Sequence, residues 1–131
     1  MKLTREEQEV LLSAHEVSDL WEVAAALANL PGYADRQLAQ SKAAEIVAEL
    51  GARGWLAPYR EKITGDRRSG SREKLPISEL AGLLRDDLNW SVPRDRPEHE
   101  FYQYGIAPTT ETDDLVEQGA VNDAWPHRVQ R

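Results

Sequence analysis

Apolar residues recur at helical spacing three times in the first fifty positions. Leu3, Val10, Leu11 and Ala14 form one stripe, and Thr4 with Glu7 makes a capping box at its start. A helix is therefore expected to run to about His15. Asp19 and Glu22 repeat the capping pattern ahead of LWEVAAALANL, residues 20–30. That stretch is apolar nearly all round and predicts a central, buried helix, stopped by Pro31 and Gly32. Ala39, Ala43, Ile46, Val47 and Leu50 mark the buried face of a third helix over 35–50, which Gly51 and Gly54 terminate.

The period changes after residue 54. WLAPYREKI, residues 55–63, reads as a strand with Trp55, Ala57 and Tyr59 on one side. Pro58 lacks a backbone donor, which points to an edge position or a bulge. GDRRSGSREK, residues 65–74, has no apolar residue and reads as a solvated basic loop. LPISELAGLLRDDLNW predicts a short helix over about 77–88, with Ser78 as its cap and Leu80, Leu83, Leu84 and Leu88 as its apolar positions. Residues 92–100 form a polar, proline-bearing connection. FYQYGIAPT, residues 101–109, predicts a second strand paired with 55–63. Beyond it, residues 111–131 read as a partly ordered tail anchored by Leu115, Val116 and Trp125. The expected fold is α+β and mainly helical. One domain over 1–110 has a three-helix core, a small antiparallel sheet and an extra helix between the strands.

Composition narrows the chemistry. An apolar share of 40% and a charged share of 30% suit a globular chain, and the absence of cysteine excludes disulfides, thiolate metal sites and a cysteine nucleophile. MKLTREEQEV has no apolar run of the kind a signal peptide needs, and no stretch is long enough to span a membrane, so a cytoplasmic protein without membrane contact is expected. Arginine outnumbers lysine twelve to four and alanine is abundant, as in bacterial genomes rich in GC. The net charge is −7, but it is unevenly placed. Residues 1–34 carry 2 basic and 6 acidic groups (net −4), residues 35–75 carry 9 and 6 (net +3), and residues 76–131 carry 5 and 11 (net −6). The one positive segment contains the basic stretch at 65–74.

Three helices, a strand, a basic loop and a second strand follow the order of a winged-helix domain. The join AAEIVAELGARGWLAPYRE, residues 43–61, resembles the recognition helix and first wing strand of bacterial winged-helix DNA-binding regulators. Leu50, Gly54, Trp55, Leu56 and Arg60 are the matching positions. The resemblance implies that Arg36, Gln37, Gln40, Ser41 and Lys42 enter the major groove of double-stranded DNA. It implies equally that Arg67, Arg68, Arg72 and Lys74 reach phosphates or the minor groove. Arginine, glutamine and serine at a helix start can read base edges, while cations on a polar loop supply affinity without sequence information. Two features depart from the pattern: a whole helix lies between the wing strands, and the chain is acidic. The layout is also similar to a group of small bacterial proteins from GC-rich genomes, a likeness that implies no activity.

The competing reading is an acidic protein-binding module, such as an antitoxin or immunity protein, whose acidic ends steer a basic protein partner. A homodimer through the first helix or the tail is a third expectation. Catalysis and cofactors are not expected. His15, His99 and His127 are isolated in sequence, no H-E-x-x-H spacing points to a metal, and no glycine-rich phosphate loop follows a strand.

Overall fold

The computed structural model describes residues 3–119. The described residues hold five α-helices and one antiparallel sheet, an α+β fold. Helix α1 (Arg5–His15) opens on the expected capping box, with the Glu7 amide donating to Thr4 and Thr4 to the Glu7 carboxylate. Val17, at φ +59, turns the chain into the short strand β1 (Ser18–Asp19). That angle strains a β-branched residue, and it sets Asp19 at the head of α2 (Leu20–Ala28). Helix α3 (Arg36–Ala52) buries Ala39, Ala43, Ile46, Val47 and Leu50, the five positions its periodicity names. Its cap is Asp35, which accepts from the amides of Gln37 and Leu38. The three helices pack around Val10, Leu11, Leu27 and Val47, none of which is exposed. Helix α2 is less buried than its composition suggests. Leu20, Val23 and Leu27 face the core, while Trp21 is half-buried and Ala25 exposed.

The sheet runs in the order β1–β4–β2–β3. Strand β2 (Leu56–Thr64) pairs along its whole length with β4 (Glu100–Pro108), as expected from the two aromatic-rich stretches. Its other neighbour corrects the reading of residues 65–74. They are not a loop: Gly65 and Asp66 form a two-residue turn, and Arg67–Lys74 is a strand, β3, antiparallel to β2. Gly65 sits at φ +64, the Gly-first arrangement of a type II′ hairpin. All eight residues of β3 are exposed, so no hydrophobic alternation marks it. β2 is consequently an interior strand, and Pro58 is not at an edge. Pro58 lies just past the end of the β3 ladder, where only its carbonyl is used, accepting from Leu75. The bulge is elsewhere. Between the pairs Glu61–Arg72 and Ile63–Arg68, β2 spends one residue and β3 spends three, Ser69, Gly70 and Ser71. Gly70 takes φ +80 there, which its lack of a Cβ permits.

The helix expected over 77–88 is shorter and broken. A 3-10 turn (Ile77–Glu79) leads into α4 (Leu80–Arg85), and a second 3-10 turn covers Asp87–Trp90. The caps are Pro76 and Asp86, not Ser78, and Leu88 is 51% exposed. The segment after β4 opens with helix α5 (Thr110–Glu117), which the sequence reading did not assign as an element. α5 docks through the Thr112 hydroxyl, which donates to the Trp55 carbonyl, and through His15 Nδ1 beside Asp113 Oδ1 at 2.9 Å. Leu115 and Val116 pack against the core as anchors. Trp125 and His127 lie outside the described residues. No helix among the described residues is long and apolar enough to cross a membrane.

Candidate nucleic-acid interface

The hairpin β2–β3 carries most of the candidate cations. Because pairs in the register share a face, Arg68, Arg72 and Lys74 lie on one side with Ile63, Glu61 and Tyr59. Arg67 and Glu73 lie on the other with Thr64 and Arg60. Arg67, Arg72 and Lys74 have no carboxylate partner among the described residues. Arg72 stands over the Tyr59 ring, 5.6 Å from its centroid.

Arg68 has a different role. Its guanidinium donates to Asp19 Oδ2 at 2.5 Å and to Glu61 Oε1 at 2.7 Å. Both carboxylates are buried, their side chains 2% and 3% exposed. The Tyr59 hydroxyl donates to Asp19 Oδ1 at 2.6 Å, and the Gly70 amide donates to Glu61 Oε2 at 2.9 Å. The bulge at 69–71 thus aims a backbone donor at a buried carboxylate. Burial first, then the hydrogen bond to Asp19, holds the Tyr59 hydroxyl well above the usual phenol range. The hydrogen bond to Asp19 raises the Arg68 guanidinium too, so it stays charged. The network ties β1, β2 and β3 together, and among the described residues Arg68 is the one cation reaching both acids.

The five candidates on α3 do not form one face. Arg36, Gln37 and Gln40 line a cavity shared with α2 and with residues 87–95. Gln40 Nε2 donates to Asp87 Oδ1 at 3.0 Å, so the segment between the strands lies over the start of the helix. Ser41 and Lys42 line a different depression, with Glu6, Tyr33 and Glu45, and Lys42 Nζ is 3.5 Å from Glu45. Other cations that would join α3 to the hairpin in one positive stripe are matched by acids. Arg53 pairs with Glu49 at 2.8 Å, Arg60 with Glu73 at 2.9 Å and Lys62 with Glu100 at 2.5 Å.

Sequence reasoning missed the buried group Asp19, Tyr59 and Glu61 and the cavity walls Trp21, Trp90, Asp87 and Asp95. No local spacing marks either set. No cluster of three or more acidic or histidine side chains among the described residues could hold a metal ion. No family model, curated protein or solved structure matches this chain.

Proposed function

We propose that this protein binds double-stranded DNA as a regulator or accessory protein, with the β2–β3 hairpin as its phosphate-contacting arm. The observation that carries the reading is the exposed strand β3, on which Arg67, Arg72 and Lys74 have no acidic partner among the described residues. The connectivity supports it in its first part: three helices, α1, α2 and α3, precede strand β2, as the likeness to winged-helix domains implies, while strand β3 and helix α4 between β2 and β4 depart from that order. The reading differs from the resemblance in its balance. Arg68 is engaged internally and Gln40 is held by Asp87, so backbone contacts by the arm outweigh base reading by α3. Gln37 and Ser41, exposed on α3, remain for base edges.

The test is fluorescence anisotropy of a labelled duplex at several salt concentrations. Three phosphate contacts give a slope of about −2.7 in log K against log salt. Replacing Arg67, Arg72 or Lys74 by alanine removes about 0.9 of that slope each. An absence of binding at low salt, or a slope indifferent to these three changes, refutes the arm.

A further inference from the structure

The cavity beside the start of α3 has the chemistry of a small-molecule site. Its volume is about 290 Å³, at the lower end for ligand pockets, so only a small compound fits. One wall is apolar: Trp21 and three alanines of α2, with Trp90 and Val92 from the facing segment. Trp90 is fixed, buried with its indole N–H donating to the Leu84 carbonyl at 3.0 Å. The indole N–H of Trp21 is buried with no acceptor among the described residues, an unusual condition for tryptophan.

The charges come from two different elements. Arg36 comes from α3, while Asp87 and Asp95 come from the segment between the strands. Arg36 and Asp95 line the same space without pairing with each other or with another described residue. Two carboxylates disfavour a simple anion here, and an arginine disfavours a simple cation. A molecule carrying both charges suits both the arginine and the carboxylates.

We infer that this cavity binds a small zwitterion, an amino acid with an apolar side group. Its carboxylate meets Arg36 and Gln37, its ammonium meets Asp95 and Asp87, and its side group rests on Trp21 and the alanines of α2. None of its contacts involves the hairpin, so the site stands apart from the phosphate-contacting arm, and Gln37 is the one residue it shares with the base-reading positions on α3.

The experiment is thermal melting and titration calorimetry of the full chain with each of the twenty amino acids. Phenethylamine and 3-phenylpropionate serve as probes lacking one charge. At least one amino acid with an apolar side group is expected to raise the melting temperature. Arg36→Ala and Asp95→Ala should each weaken its binding about 10-fold or more, as the loss of a charged hydrogen bond predicts. Both side chains are exposed, so the unliganded variants should melt as the parent does. If no amino acid stabilises the chain, the inference falls. It falls equally if both variants bind with parental affinity, or if phenethylamine or 3-phenylpropionate binds as tightly as phenylalanine.

Discussion

Arg68 offers the sharpest test of how the hairpin is held. In Arg68→Met the aliphatic stem stays and the charge goes, leaving Asp19 and Glu61 buried without their shared cation. Breaking a fully buried pair costs about 3–5 kcal/mol, while a surface pair is worth about 0–1. Arg68 is 42% exposed although both acids are buried, so water can follow when the guanidinium leaves. The expected loss is intermediate, about 2 kcal/mol, or a fall in melting temperature of roughly 8 °C for a chain of this size. Asp19 keeps the Tyr59 hydroxyl and Glu61 keeps the Gly70 amide, which holds the loss below the upper figure.

Urea unfolding of the parent and of Arg68→Met, at low and at high salt, measures it. Adding Glu61→Gln to Arg68→Met should recover part of the loss, because one stranded charge is removed. A loss under about 0.5 kcal/mol, or one abolished by high salt, would show an ordinary surface pair and refute the argument. The same variant bears on DNA. Arg68 is engaged internally, so Arg68→Met should leave the salt slope of DNA binding unchanged while the protein remains folded. A slope reduced as much as by Arg67→Ala would show that Arg68 contacts phosphate instead.

Two further outcomes follow from the same network. The Tyr59 hydroxyl is held above its usual value of about 10, so the native state keeps a proton that the unfolded chain releases. Its contribution to stability is whole below pH 10 and declines above it, by about 1.4 kcal/mol per pH unit; urea unfolding between pH 9.5 and 11 should show a shallower decline in Tyr59→Phe, and equal slopes would contradict the assignment. At Gly105, an added Cβ would meet the Ser18 carbonyl and the Tyr59 hydroxyl. Gly105→Ala should therefore cost about 2–3 kcal/mol by displacing β1 from β4, and a melting temperature unchanged from the parent would exclude that crowding.

The first three helices were legible because their determinants are local. A capping box spans four residues, and the buried stripe of α3 repeats within one helix. β3 was not legible, because its stability comes from a ladder and from ion pairs to other strands and not from burial of its own side chains. The partners of Arg68 stand 7 and 49 residues away. A run of arginines, glycine and serines looks the same whether it is solvated or spread on a neighbour. The α3 candidates are spread around the helix for a simpler reason. At 100° per residue, Arg36 and Lys42 lie on opposite margins of the helix. Whether the helix start was open to a ligand depended on Asp87, 47 residues beyond Gln40.

A charged edge strand has two physical uses, and β3 serves one of them by position alone. The outer edge of β3 presents unpaired backbone groups, and charges along such an edge discourage pairing with another chain. That accounts for charge of either sign. It does not account for an excess of one sign within an acidic protein. Of the five charged side chains on β3, four are positive, and the single acid, Glu73, is already paired with Arg60. Subtracting Arg68 leaves three cations without an ion-paired acid among the described residues, within the segment 35–75, whose net charge is +3. Mixed charges would protect the edge as well, and the excess therefore favours an anionic partner over edge protection. Phosphate contact predicts that each of the three cations contributes to the salt slope separately. Edge protection predicts no slope at all, because it requires no bound counterpart whose counterions are released.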